Sequence, residues 1–213
     1  MAIIKKKNSN MFTGLIGPMI MATWKGILYA RARPRKSAVK KEGTPGQVAA
    51  RGKFRYLHQF LSPFHPFITV GFSGKAVNKT EINVAFTANY HSAVIGVYPD
   101  LSMDYPRIRI SEGKLEGLIA PELSCSPSGL VEINWKTEAT RGGGYNDHLM
   151  LVLYSELYKK TDGFIGHAQR SDHYCSFPIR EEMQKGRVHV YVSFASQNRR
   201  LASNSQYLGV LEF

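Results

Sequence analysis

Leu130-Val131-Glu132-Ile133-Asn134-Trp135 and Val188-His189-Val190-Tyr191-Val192-Ser193-Phe194 decide the class of fold. Apolar residues alternate with polar ones in both runs, and β-branched and aromatic side chains dominate, as in strands. Residues 149–154, continuously apolar, and residues 207–213 also read as strands. Gly, Asn, Asp and Ser turns separate the four runs. Residues 119–213 are therefore expected to form a small β-sandwich. A fibronectin type III-like register suits it: Trp135 falls on the second strand, and the last two runs close the domain. An immunoglobulin register fits poorly, because two strands follow Cys175 and Tyr174 adjoins that cysteine.

The texture of residues 1–118 is different. Residues 18–33 read as a β-hairpin with Lys25-Gly26 at its turn, where glycine relieves the cost of a positive φ. Residues 33–43 hold Pro34 and many cations without apolar periodicity, an extended arm. Thr44 is a good N-cap and Pro45 suits the first helical position, so a helix is expected over 45–61. Ala50, Phe54, Leu57 and Leu61 form its apolar stripe, and Gln47, Arg51, Arg55 and His58 a polar one. Gly52 is unfavourable in mid-helix and implies a close approach by a neighbour. Residues 63–74 read as a packed connector, and a second helix runs from a Thr80 cap to about residue 95 on Ile82, Phe86, Tyr90 or Ala93, and Val94. Short strands are expected at 107–111 and 114–118, turning at Glu112-Gly113. The fold class is thus α+β: basic hairpin, arm, two helices and a small sheet over 1–118, then the sandwich.

Charge is distributed unevenly. The chain has 213 residues and a net charge of +12. Residues 1–60 hold 13 Lys and Arg against Glu42 alone, and the remaining 153 residues balance 15 against 15. A basic segment on a neutral body implies a surface that meets a polyanion. The candidate contact residues are Lys25, Arg31, Arg33, Arg35, Lys36, Lys40, Lys41, Arg51, Lys53 and Arg55, interleaved with Phe12, Trp24 and Tyr29. Cations neutralise phosphates and aromatic rings stack on bases. The expected partner is nucleic acid or an acidic protein surface, with homo-oligomer formation through the arm as a further expectation.

Other classes find little support. Arg141-Gly142-Gly143-Gly144 leads into a strand rather than a helix, so it reads as a loop and not a phosphate cradle. His148, His167 and His173 lack the spacing of metal ligands on one face. No Gly-x-Ser-x-Gly elbow presents a nucleophile. A non-enzymatic protein is expected, with no cofactor, metal or small-molecule substrate. Two separated cysteines, Cys125 and Cys175, read as reduced thiols. The apolar run after Lys5-Lys6-Lys7 is broken by Thr13, Gly14, Gly17 and Pro18, and cations follow it, which opposes export. No stretch reaches the roughly 18 apolar residues of a membrane span. A cytoplasmic location without a membrane partner is the expectation.

Several motifs carry a family resemblance. They are Trp24-Lys25-Gly26, Arg33-Pro34-Arg35-Lys36, Thr44-Pro45-x-Gln47-x-x-x-Arg51-x-Lys53-Phe54 and Phe60-Leu61-Ser62-Pro63, then Gly71-Phe72, Tyr98-Pro99-Asp100 and Asp104-Tyr105. Val188–Phe194 and Ser203-Asn204-Ser205-x-Tyr207-Leu208-Gly209 complete the set. Together they resemble the uncharacterised Bacteroidota family called domain of unknown function 6266, over almost the whole length. The family usually has Asn-Pro-Arg-Thr where this chain has Lys41-Glu42-Gly43-Thr44. The resemblance implies no activity. Similar Thr-x-x-Gln-x-x-x-Arg-x-x-Phe helices occur in some phage-associated proteins of unknown role, an analogy of fold that carries no function. The alternative expectation is a structural subunit of a phage-like or other self-assembling particle, with the basic arm gripping a neighbouring subunit.

Overall fold

The computed structural model describes residues 2–3, 13–24, 26–34, 43–136 and 144–213. They fall into two units, Met1–Gly43 and Thr44–Phe213. In the first, β1 (Ala2–Ile3), β2 (Gly14–Ile16), β3 (Met19–Trp24) and β4 (Ile27–Ala32) form an antiparallel sheet in the order β1-β4-β3-β2. The expected hairpin is its centre. Trp24 pairs with Ile27 across a two-residue turn, in which Gly26 adopts a φ of +78°. Residues 35–42, nearly all of the arm, lie outside the described residues, as does Lys25.

The second unit begins at Thr44. Its hydroxyl accepts from the Gln47 N–H at 3.4 Å while the Gln47 side chain accepts from the Thr44 N–H at 3.3 Å, a reciprocal cap for α1 (Pro45–Leu61). Leu57 and Leu61 are fully buried, as their spacing predicts. Ala50 and Phe54 are not: both are exposed, and the inward positions at that level belong to Ala49, Gly52 and Lys53. A Cβ on Gly52 would lie 2.2 Å from a Tyr98 ring carbon, so this glycine admits a neighbouring ring.

The connector expected over 63–74 is packed but helical. A 3₁₀ turn (Ser62–Phe64), α2 (His65–Gly71) and a second 3₁₀ turn (Ser73–Lys75) bury Phe64, Phe67, Ile68 and Phe72. Pro63 and Pro66 each sit in a first helical turn, where no N–H is required. The Thr80 cap holds, accepting from the Asn83 N–H at 3.2 Å, but α3 (Glu81–Tyr90) stops short of 95. Val94 instead opens β5 (Val94–Val97), which pairs with β6 (Asp100–Met103). The strands expected at 107–111 and 114–118 do not form. That stretch is irregular because side chains take its backbone bonds: Asn89, buried on α3, both donates to the Arg109 carbonyl and accepts from its N–H, each at 2.8 Å.

Seven strands complete the unit: β7 (Ile119–Cys125), β8 (Leu130–Lys136), β9 (His148–Ser155), β10 (Lys160–Gln169), β11 (Tyr174–Pro178), β12 (Arg187–Ala195) and β13 (Gln206–Glu212). They form two antiparallel sheets, β10-β9-β12-β13 and β11-β8-β7. Alternate residues of β9 and β12 point to opposite faces. Leu149, Leu151, Leu153, Val188, Val190, Val192 and Phe194 share a core with Val131, Ile133 and Trp135 of the three-stranded sheet. Met150, Val152, Tyr154 and Tyr191 share another with Leu57, Leu61, Phe64 and Ile68 of the helices. The boundary expected between 118 and 119 falls inside this Thr44–Phe213 unit. The fold is α+β.

Gly71 offers a direct test of the packing of α2. A Cβ there would lie 2.5 Å from the Ile110 carbonyl oxygen and 2.9 Å from the Ser111 Cα, backbone atoms that cannot rotate away. Gly71→Ala should cost about 1–3 kcal/mol, seen in thermal denaturation as a Tm lower by roughly 2–12 °C. Gly46→Ala, in α1 with nothing within 4 Å, should leave the Tm unchanged or slightly higher.

Candidate polyanion surface and tyrosine cleft

Arg51 and Arg55 lie one turn apart on the exposed side of α1. Neither makes an ion pair among the described residues, and Asp104 pairs instead with Arg107 at 3.3 Å. Between them stands Phe54, 54% exposed, its ring 4.6 Å from that of Phe86, which is in turn 5.5 Å from Tyr90. Arg51, Phe54, Phe86 and Tyr90 border one shallow hollow, and Arg51, Phe54, Arg55, His58 and Gln59 border the next. The Lys53 ammonium leaves this row and sits over the Tyr90 ring, 4.7 Å from its centroid.

The other candidate cations are distributed differently. Arg31 on β4 and Arg33 just after it are exposed in the Met1–Gly43 unit, the Arg33 N–H donating to the Pro18 carbonyl at 2.8 Å. Lys25, Arg35, Lys36, Lys40 and Lys41 lie outside the described residues. The ten candidates are thus seen together only as Arg51 and Arg55, with Lys53 beside them. The exposure of Phe54 went unread because its spacing from Leu57 and Leu61 imitates a core stripe. Gly52 was the available signal, since it places the close approach on another side of the helix.

A second site was not anticipated. Tyr56, Gln59, Phe60 and Pro63 face Met103, Tyr105, Tyr154, Glu156 and Lys159 across a cleft of about 370 Å³. Behind it, His189 on β12 lies with its side chain 6% exposed. Its Nε2 is 2.6 Å from Glu156 Oε1, its Nδ1 is 2.9 Å from the Tyr207 hydroxyl, and the Tyr105 ring stacks on it at 3.7 Å and 10°. Burial lowers the His189 pKa below 6.5 while the Glu156 hydrogen bond pulls it back up. The neutral ring has one donor, and an ionised carboxylate only accepts, so Nε2–H donates to Glu156 and Nδ1 accepts from Tyr207. Burial, then the Glu156 charge, pushes the Tyr105 phenol up to about 12. Burial raises Tyr154 and Tyr191 as well, and these phenols stay neutral at physiological pH.

Polar side chains position Tyr207 and the wall opposite it. The Gln206 side chain accepts from the Leu118 N–H at 2.7 Å and donates to the Leu118 carbonyl at 3.0 Å. Ser205 Oγ accepts from the Ile110 N–H at 3.0 Å, and Ser111 Oγ donates to the Ser203 carbonyl at 2.8 Å. The Ser203-Asn204-Ser205-Gln206 run therefore fastens 108–118 to the start of β13.

Helices cover one face of a two-sheet stack here, with a basic aromatic surface on α1 and a tyrosine-walled cleft beside it. A family model described as a family of unknown function, DUF6266, matches residues 11–209, and the chain belongs to that family. The resemblance read from its motifs is borne out. No curated protein matches the chain. No helix among the described residues is long and apolar enough to cross a membrane.

The His189 environment predicts a titration. Its midpoint, followed by NMR of labelled histidine, should lie below 6.5 in the folded chain. Glu156→Gln removes the group that raises it, so the midpoint should fall further. Because the folded value is depressed, this residue's stabilisation is complete above about pH 6.5 and is lost as the pH falls through the folded value. His189→Gln should accordingly flatten the acid-side decline of Tm. A wild-type midpoint at or above 6.5 contradicts the assignment.

Proposed function

We propose that this is a non-enzymatic binding and assembly protein whose basic N-terminal segment, residues 1–60, contacts a polyanion, with nucleic acid as the ligand. The observation that carries the reading is the Arg51-Phe54-Arg55 surface: two cations that make no ion pair among the described residues lie beside an exposed ring, at the end of a segment that holds the chain's whole net charge. Phosphates favour the arginines, and an unpaired base favours the ring. We also read residues 119–213 as a fibronectin type III-like sandwich. The order β11-β8-β7 against β10-β9-β12-β13, with Trp135 on the second strand, supports this. The cytoplasm is the proposed location, supported by two unpaired cysteines, of which Cys175 is buried and its thiol pushed up to about 11.

Titration of the full chain with labelled DNA and RNA, duplex and single-stranded, tests the reading. If six to ten phosphates are neutralised, affinity should fall about 10³–10⁵-fold between 50 and 200 mM salt. Arg51→Ala with Arg55→Ala should make the logarithmic salt slope shallower by about two and leave Tm unchanged. Phe54→Ala should weaken single-strand binding by about 1–3 kcal/mol and duplex binding less. A flat salt dependence, or affinity unchanged in the double variant, overturns the proposal in favour of an acidic protein surface or a second copy of the chain.

A further inference from the structure

We infer that the cleft bounded by Tyr56, Phe60, Tyr105, Tyr154 and Glu156 binds a small organic ammonium ion, held by the Glu156 carboxylate and the surrounding tyrosines. At about 370 Å³ it is within the usual range for a small-ligand site. Phe60, Pro63 and Met103 supply apolar walls, and the phenols add π-systems and neutral hydroxyls. Such walls with one carboxylate suit a cation that carries an apolar body.

Glu156 is positioned in advance. Oε1 is engaged by His189, while Oε2 has no protein partner among the described residues, and the side chain remains 31% exposed. The backbone at Glu156 is held as well, its N–H donating to the Arg187 carbonyl at 3.1 Å. His189 is clamped by Tyr207 and stacked on Tyr105, so the chain of contacts behind the carboxylate has little freedom. A ligand meeting Oε2 therefore meets an acceptor that is already oriented.

Electrostatics favour the same sign of charge. The Glu156 charge is felt by Tyr105, Tyr154 and Tyr207, whose phenols it raises after burial does. Lys159 lies at the exposed rim and makes no ion pair with Glu156 among the described residues. An anion would face the Glu156 carboxylate. A neutral ligand would leave that carboxylate without a counterion.

The test uses the full chain and isothermal titration calorimetry, with tyrosine NMR shifts to locate the ligand. Benzylammonium is the free-amine probe, Nα-acetyl-lysine methylamide the probe for a protein lysine, and benzyl alcohol the neutral control. One or both ammonium probes should bind and shift Tyr105 and Tyr154, with benzyl alcohol weaker by about tenfold or more. Whichever ammonium probe binds more tightly identifies the source, a free amine or a lysine side chain. Glu156→Gln keeps an acceptor for His189 Nε2–H and should reduce affinity about tenfold without a change in circular dichroism. Lys159→Ala removes a like charge at the rim and should tighten binding about two- to fivefold. Equal binding of benzyl alcohol, undiminished affinity in Glu156→Gln, or no binding by either ammonium probe at 20 mM overturns the inference.

Discussion

β9 and β12 form the central antiparallel pair, and both faces of that pair are buried. Tyr191 sits opposite Val152, and Val190 opposite Leu153, so successive residues serve opposite cores. A sheet wetted on one side would show alternation of polar and apolar residues along β9. Instead Leu149 through Tyr154 is continuously apolar, because the helices occupy the side that solvent would otherwise take. The helical layer of the Thr44–Phe213 unit follows from this. It must supply Leu57, Leu61, Phe64, Ile68 and Phe72 as a cover, and Val94, Met103, Ile108 and Ile110 join the same core.

The chain from 94 to 118 forms few strands. Residues 108–118 place Ile108 and Ile110 in the helix-side core and Leu118 in the other, yet pair in no regular ladder. Buried backbone groups still require partners. Asn89, Asn204, Ser205 and Gln206 provide them, each contributing side-chain atoms where a strand would contribute peptide groups. Arg170 does the same at the far end. Buried at 4%, it pairs with Asp147 at 3.1 Å, donates to the Glu116 carbonyl at 2.8 Å and lies over the Phe194 ring. An ion pair so deep is costly unless its remaining donors are used. Here they are used to hold the irregular segment.

The parts legible in the sequence were those governed by local rules. Thr44-Pro45-x-Gln47 encodes a helix start in four residues, Gly26 marks a tight turn, and the runs at 130–135 and 188–194 can only be strands. What escaped was decided by contacts distant in sequence. Val94 continues the apolar spacing of α3, yet pairing with Met103 claims it for a hairpin. Residues 107–118 have strand-like composition, but their hydrogen bonds go to residues near 89 and 203–206. His189 reads as the polar member of an alternating strand, normally a solvent-facing position. Its burial against Glu156 and Tyr207 depends on the helical layer, which no local pattern announces.

A single helix of 17 residues brings the two candidate sites together. The surroundings of α1 differ both around its axis and along it. Leu57 and Leu61 point into the core, Gly52 receives the Tyr98 ring, Tyr56, Gln59 and Phe60 wall the cleft, and Arg51, Phe54 and Arg55 face outward. The rotation of the helix about its axis is fixed by the first two contacts, since a Cβ at position 52 would meet Tyr98 and the two leucines admit no solvent. The angular placement of the cations and the tyrosines is a consequence. Moving the helix by one residue would turn it about 100°, which would take the arginines out of solvent and the leucines out of the core. The packing of α1 therefore sets both surfaces at once, and the reciprocal cap at Thr44 fixes where along the chain that register begins.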